Sequence, residues 1–569
     1  MQSNSMSAHK YWLDLFTGTT WKEFVEAGGD KSGIFEVKKE TPEKTPVWSV
    51  KWRWAVFLCF STILGFLLSR HIFWRDEVQA WQLAVYTDSI SSLIHSLRYQ
   101  GHPALWYLFL RGFGVFFDSP KGMLEAHWLL ASLNAFLIIW FCPIPPWQRV
   151  ACCFGYFMLF EYGVICRNYA MGTLLAFVFV IVHSRYKRAV IGPALLLALL
   201  VHTSLLGAFL AVSLLAYLIA DFWDDGRASR VRLLTAIVVV GASVAAMTWY
   251  VKPPADSLWA RKYHKYRQQL TAKEVVANSL IFLRVTAPIP QPETLHFWNT
   301  NWTDSIAPDY IRKAIQYPAA AICLALAALS IIHRRTLIVL FSAGTLLLAG
   351  FTIIHGQTAL RHQGQWFILL LLCYWIDRTH GNVGARDFGR WQRKIWRWFP
   401  AILFAIQPGA VIIPIVRSFN APFSATPALV KQVLDARLDS GTWSAYPEFL
   451  VSSVSAASGR VVYSPQQDRF ERFSVWKDFV GPHTRGGMDA TPEMVASRLA
   501  AQVANPGESL VLFLYENEAP SILSELAQDI KVRQVAMRPN GIVEDEANVS
   551  FLLQRTITIH ISSASQMER

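Results

Sequence analysis

The sequence predicts a polytopic α-helical membrane protein with a soluble α/β domain at its C-terminal end. Three observations carry this reading. Apolar runs approaching spanning length recur from residue 54 to residue 416. Hydrophobic residues make up 53% of the 569 and charged residues only 16%, against about 25% in soluble domains. After residue 416 the long runs stop, and short helix-like and strand-like patterns alternate. A large soluble core would explain the composition but not the run lengths, because about 20 apolar residues is what a helix needs to cross a bilayer.

The net charge of +13 raises nucleic acid as a partner, but the cations are not gathered in one patch. They cluster between apolar runs, at Lys51/Arg53, Arg185/Lys187/Arg188, Arg227/Arg230/Arg232, Arg334/Arg335 and from Arg386 to Arg397. Basic loops mark the cytoplasmic side. The charge therefore encodes topology, and no nucleic-acid partner is expected. The seven cysteines all lie in or beside apolar runs, without ligand or disulfide spacing, and read as small buried hydrophobes.

Taken in order, residues 1–53 are polar and mixed in charge and read as a cytoplasmic segment. The first span, Trp54–Leu68, runs outward from Lys51 and Arg53. The loop after it is then outside, and Val78 to Leu97 is patterned as an interfacial helix broken near Thr87-Asp88. The run Pro103–Phe117 carries Arg111 in its middle, which costs about 2.5–3.5 kcal/mol at the bilayer centre. Loop parity requires one run not to cross, so this one is expected to be re-entrant or packed within protein. Leu124–Phe141, Cys152–Cys166, Tyr169–His183, Val190–Val201, Leu205–Ile219, Leu233–Val251, Ala314–Ile332, Leu337–Ile354, Trp366–Ile376 and Trp398–Val416 complete about eleven spans in a membrane domain of residues 54–416. The tail, 417–569, is then extracytoplasmic. Helices are expected at Pro427–Leu438, Tyr446–Ala456, Pro492–Gln502 and Ala519–Gln528, and strands at Arg460–Tyr463, Glu508–Tyr515, Lys531–Ala536 and Val549–Thr558.

Residues with chemistry gather on the outer face. Asp76-Glu77, directly after the first span, puts two carboxylates at the mouth of the membrane domain. They read as a general base or a divalent metal ligand, with a solvated loop pair as the plain alternative. His102-Pro103 opens the next run, where an imidazole can meet a phosphate or simply begin a helix. Glu161 sits roughly a turn and a half inside its run and needs a partner, for which Arg167 is the candidate. Tyr169 follows at the head of the next span. Arg361-His362 precede another span entering from outside, and arginine's planar fork suits phosphate oxygens. The stretch Arg261 to Arg267, with His264 at its centre, is a basic aromatic patch fitting a substrate or anionic headgroups. No phosphate loop, dinucleotide glycine motif or Cys/His metal site accompanies these residues.

An Asp-Glu pair after the first span, His-Pro opening an apolar run and Arg-x-Tyr at a later span resemble the GT-C membrane glycosyltransferases, over roughly residues 50–380. The protein O-mannosyltransferases and the lipid A aminoarabinose transferases are close in pattern. The resemblance implies a GT-C-like fold of about eleven spans plus a re-entrant segment, and a polyprenyl-phosphate sugar donor used on the outer face of a bacterial inner membrane. It implies a glycan, lipid or protein acceptor in the periplasm. Asp76 would be the catalytic base, and Glu77 would support it or help hold a divalent metal. His102, Arg167, Arg361 and His362 would lie near the donor phosphate, with Glu161, Tyr169 and His264 lining the substrate. The family's second proline after His-Pro is Ala104 here, a departure that leaves the subfamily open. A lipid-linked oligosaccharide polymerase or ligase uses similar chemistry. A lipid-sugar transporter would show internal repeats and midplane charges; no repeat is found, and most charges cluster at span ends.

Overall fold

Ser49 ends the polar N-terminal stretch: its hydroxyl accepts a hydrogen bond from the Trp52 amide and caps helix α1, Val50–Arg70. The computed structural model describes residues 48–555 apart from 187–188, 226–229, 262–278, 356–358, 382–388, 439, 479–489, 506, 529, 539–540 and 544–546. After α1 come α2 (Arg75–Tyr86), α3 (Ile90–Gln100), α4 (Leu105–Gly114), α5 (Lys121–Phe141), α6 (Pro146–Cys153) and a π-helical segment, Tyr156–Val164. There follow α7 (Tyr169–Arg185), α8 (Ile191–Val201), α9 (Leu205–Asp225), α10 (Arg230–Val251), α11 (Ile281–Thr286), α12 (Asp309–Ile331), α13 (Arg335–His355), α14 (Leu360–His380) and α15 (Arg390–Asn420).

Among the described residues seven helices, α1, α5, α9, α10, α12, α13 and α15, are long and apolar enough to cross a membrane. This is a smaller set than the eleven runs read from the sequence, and each difference has a local cause. The run Cys152–Cys166 is not one helix. It breaks at Phe154-Gly155, where a Cβ on Gly155 would lie 2.5 Å from the Gln407 side chain and 2.8 Å from the Ala151 carbonyl. α15 presses on the chain at that point, and the backbone resumes as the π-helical segment. α7 and α8 are apolar but short. The run Trp366–Ile376 is the middle of α14, which is buried without interruption from His362 to Asp377. A helix enclosed on all sides accommodates Gln363 and Gln365 among its apolar residues.

The interfacial pattern after α1 resolves into α2 and α3, broken at Thr87 to Ser89 as its sequence indicated. The run from Pro103 forms only the ten-residue α4. Arg111 is not left in lipid: its Nη1 donates to the Ala84 carbonyl at 3.0 Å, the Thr87 carbonyl at 2.9 Å and Thr87 Oγ1 at 3.1 Å. These are the orphan acceptors at the C-terminal end of α2, so the arginine of α4 caps the neighbouring helix. Of the seven cysteines, five are buried, Cys323 is half-buried and Cys59 is exposed on α1.

The tail begins after α15, which runs past the expected boundary to Asn420. It contains α16 (Thr426–Asp435), β1 (Thr442–Tyr446), α17 (Leu450–Ser458), β2 (Val462–Ser464), β3 (Arg469–Glu471), α18 (Pro492–Ala501), β4 (Ser509–Leu514), α19 (Ala519–Leu523), β5 (Ile530–Met537) and β6 (Val549–Arg555). The strands form one mixed sheet in the order β3-β2-β1-β4-β6-β5, with β1 parallel to both neighbours. The sequence reading missed β1 and β3. β1 carries Trp443, Ser444 and Ala445 at the buried centre of the sheet, a run too short and mixed to announce itself.

The tail domain is seated on α2 and α3. Gln79 of α2 donates from Nε2 to the Ser474 carbonyl at 2.6 Å and accepts the Ser474 amide at 3.0 Å, while Ser452 of α17 also donates to its Oε1. Gln100 of α3 donates to the same carbonyl at 2.8 Å and accepts from Trp476 Nε1 at 2.9 Å. The tail therefore lies on the side where α1 ends and α14 begins. Single cysteines at Asp88 in the α2–α3 loop and Val461 in the tail should both react with a membrane-impermeant thiol reagent from one side of sealed vesicles, and one at Trp391 only from the other. Labelling of Val461→Cys and Trp391→Cys from the same side would contradict this arrangement.

Candidate functional site

Glu77 is fully buried and its carboxylate is spent on the fold. His71 Nε2 lies 2.9 Å from each of its oxygens. The Trp74 amide donates to Oε2 at 3.0 Å, the reciprocal half of a helix N-terminal capping box. The Cys166 amide, remote in sequence, donates to Oε1 at 2.6 Å. One carboxylate thus ends the turn after α1, starts α2 and pins the loop before α7.

That pin sets Asp76 and Arg167 beside each other. Arg167 Nη1 donates to the Asp76 carbonyl at 2.8 Å and lies 3.6 Å from Asp76 Oδ2. Arg75 Nε stands 3.6 Å from Oδ1. Asp76 lies deep in the protein yet keeps 28% of its side chain exposed. Burial alone would raise its carboxyl, but Arg167, then Arg75 and Arg361, outweigh that effect and hold it below the ordinary carboxylate value. His102 lies in the same electrostatic group. Burial first, then Arg167 and Arg361, push its imidazole from 6.5 down to about 4, against the pull of Asp76. His102 is therefore neutral at neutral pH, a hydrogen-bonding group rather than a cation.

Arg361 approaches from the head of α14. Its guanidinium lies 5.2 Å from the Trp74 ring and 5.2 Å from the Trp298 ring, and those indoles meet edge to face at 4.9 Å. The backbone is fixed as well: Tyr162 Oη donates to the Arg361 carbonyl at 2.9 Å. α14 comes this close because Gly364 leaves room, since a Cβ there would lie 2.5 Å from Tyr162 Oη and 2.6 Å from the Phe157 ring. His362 is buried beside Tyr169, ring to ring at 6.0 Å, one layer behind Arg361.

The expected Glu161–Arg167 ion pair is not formed. Glu161 accepts from Tyr156 Oη and Trp298 Nε1, each at 3.2 Å, while Arg167 goes to Asp76. Glu161 is linked to the site through Trp298, which also contacts Arg361. His264 lies outside the described residues. Asp76 and Glu77 do not fit a divalent ion as a pair, because both Glu77 oxygens already have donors and arginines surround Asp76. Among the described residues no group of three or more His, Cys, Asp or Glu side chains is placed to hold a metal.

The structure brings Asp76, His102, Arg167 and Arg361 together and adds Arg75, Trp74 and Trp298. Arg75 stacks on Phe449 of the tail at 4.3 Å, so the tail domain touches a residue that contacts Asp76. The sequence offered a signal only for Trp74 and Arg75, which adjoin Asp76. Trp298 arrives from the long connection between α11 and α12 and Phe449 from the tail. Comparison of the chain with family models, with curated proteins and with solved structures finds no match.

Two outcomes test this assignment of roles. Glu77→Ala should destabilise the protein by about 2–5 kcal/mol, because it strands buried donors, whereas Asp76→Asn should leave thermal unfolding nearly unchanged. Equal losses of stability would merge the two roles. The depressed His102 value means the unfolded chain binds more protons between pH 6.5 and about 4. Stability should therefore fall as pH drops through that window, and His102→Asn should flatten the fall, read by thermal unfolding at pH 7 and pH 5.

Proposed function

We propose that the chain is an inverting glycosyltransferase that takes a sugar from a polyprenyl-phosphate donor on the periplasmic side of a bacterial inner membrane. The observation that carries this reading is the gathering of Arg75 and Arg167, each 3.6 Å from the carboxylate, and of Arg361, held on Trp74, around the single partly exposed carboxylate of Asp76. A lone structural ion pair needs one cation. Three cations around one carboxylate leave positive charge for a second anion, and a phosphate fits arginine's planar fork. The likeness of the Asp-Glu, His-Pro and Arg-x-Tyr pattern to GT-C enzymes supports the same substrate class.

In this reading Asp76 accepts the proton of an acceptor hydroxyl as that oxygen bonds to the anomeric carbon. The bond from that carbon to the phosphate oxygen breaks, and its electron pair leaves with the lipid phosphate. A single displacement inverts the anomeric centre. A carboxylate among arginines is a weak base, which suffices if the proton moves late, after bond formation has acidified the hydroxyl. The arginines meet the charge that grows on the leaving phosphate, where preorganised cations accelerate reaction most. His102, neutral, donates or accepts a hydrogen bond beside them.

Purified protein in liposomes, offered a panel of polyprenyl-phosphate sugars and extracted membrane acceptors, should release free polyprenyl phosphate. Asp76→Asn should lower that rate by roughly 10²–10⁴-fold, the usual range for loss of a general base. Arg167→Lys and Arg361→Lys should lower turnover by about tenfold or more with a smaller change in donor KM, because lysine keeps the charge but loses the fork. Wild-type turnover in well-folded Asp76→Asn would remove the base. Absence of turnover with every donor, under conditions where the protein stays folded, would remove the reaction.

A further inference from the structure

The tail domain reaches the arginines around Asp76 through a side chain that the reaction above does not use. β1 ends at Tyr446, and residues 447–449 turn the chain into α17. Hydrogen bonds fix this turn. The Leu450 amide donates to the Pro447 carbonyl at 2.9 Å, Ser474 Oγ donates to the Glu448 carbonyl at 2.8 Å, and the Glu448 amide donates to Gln466 Oε1. Phe449, at the N-terminal end of α17, is left half-buried, and the Arg75 guanidinium lies 4.3 Å from the centre of its ring.

The tail is seated on α2 one turn further along. Arg75 and Gln79 are four residues apart and share a face of that helix. Gln79 clasps both backbone groups of Ser474 and accepts from Ser452 of α17. The bonds that seat the tail therefore also bring Phe449 onto Arg75.

The stack bears directly on Asp76. Arg75 Nε stands 3.6 Å from Asp76 Oδ1, a contact of charges beyond hydrogen-bond length, so the pair does not fix its own geometry. The Trp74 ring is more distant from the guanidinium, at 5.8 Å. A guanidinium laid on an aromatic face is held by the ring while its N–H edge stays turned to an anion. An aliphatic side chain would fill the same space without offering that face. We propose that Phe449 is a positioning residue, through which the tail domain sets Arg75 against Asp76 and so takes part in the working site. Its effect on turnover rests on the glycosyl-transfer reading, whereas its effect on the Asp76 carboxyl does not.

The consequence has a sign. Burial raises the Asp76 carboxyl, while Arg167 from the loop before α7, Arg75, Arg361 from α14 and His102 from the approach to α4 lower it. Releasing Arg75 removes one of these influences and leaves the others, so the carboxyl should rise.

The test titrates the full-length protein in lipid nanodiscs from about pH 7 to about pH 3 by infrared spectroscopy. The protonated-carboxyl band of Asp76 is the one missing from Asp76→Asn. Its midpoint should move upward in Phe449→Leu, toward that of Arg75→Gln, and stay at the wild-type position in Phe449→Tyr, which keeps the ring. Phe449→Leu combined with Arg75→Gln should move it no further than Arg75→Gln alone, because the ring acts only through the guanidinium. With a polyprenyl-phosphate sugar donor, Phe449→Leu should lower kcat about threefold to tenfold, the range for loss of a partly buried cation–aromatic contact, with a smaller change in donor KM and recovery in Phe449→Tyr. A wild-type midpoint in well-folded Phe449→Leu, equal shifts in the Leu and Tyr variants, or additive shifts in the double variant would each overturn the proposal. If Phe449→Leu does not fold, Phe449→Met supplies the same reading. The titration involves no donor, so the two readings fail separately. A raised midpoint with no donor turned over removes the reaction alone, and transfer still dependent on Asp76 with an unmoved midpoint removes the positioning role alone.

Discussion

A single buried carboxylate organises the half of this protein on which the tail domain sits. Glu77 receives the Trp74 amide, the Cys166 amide and the His71 ring, and so joins the end of α1, the start of α2 and the loop before α7. Each donor is a group that would otherwise be buried without a partner, and such groups cost far more unpaired than their bonds contribute when made. The knot therefore has little freedom to rearrange piecemeal. Its consequence is positional: the residue before Glu77 and the residue after Cys166 are Asp76 and Arg167, and they have no alternative but to meet.

The surrounding architecture holds α2 at the angle this meeting needs. Arg111 of α4 satisfies the far end of α2, and the Gln79 amide clasps both backbone groups of Ser474 in the tail. α2 is thus fixed at its start by Glu77, in its middle by the tail domain and at its end by α4. The tail is part of the same construction, since Phe449 stacks on Arg75 and Phe423 packs on both His71 and Trp298. Aromatic faces then carry the cations. Trp74 and Trp298 support Arg361, and Trp74 also borders Arg75 and Arg167. This keeps three guanidinium groups close to one another around Trp74.

The opposite ends of the helices are closed by a different chemistry. His183 bonds to Asp221 at 3.0 Å, and Asp377 takes His333 at 2.7 Å, Arg334 at 2.6 Å and Trp396 at 2.6 Å. Asp221 and Asp377 are each matched by donors. Asp377 gathers several donors on one carboxylate, whereas around Asp76 the arginines outnumber the carboxylate.

The sequence by itself determined the largely helical, apolar class, the break at Thr87 and most strands and helices of the tail. Each of these is written in local patterns: run length, helical period or a charge within an apolar segment. It also marked Asp76, His102, Arg167 and Arg361, because polar residues at the ends of apolar runs stand out. It did not separate Asp76 from Glu77. Adjacent carboxylates look alike until the chain folds and the Cys166 amide reaches one of them. Nor did it give Arg167 its partner, since Glu161 is near in sequence but is turned toward Trp298 by the π-helical segment. The break at Gly155 depends on α15, some 250 residues onward, pressing against it. Only the tertiary structure decided these points, because each turns on which of several unsatisfied polar groups a distant segment satisfies, and that is settled by packing rather than by local pattern.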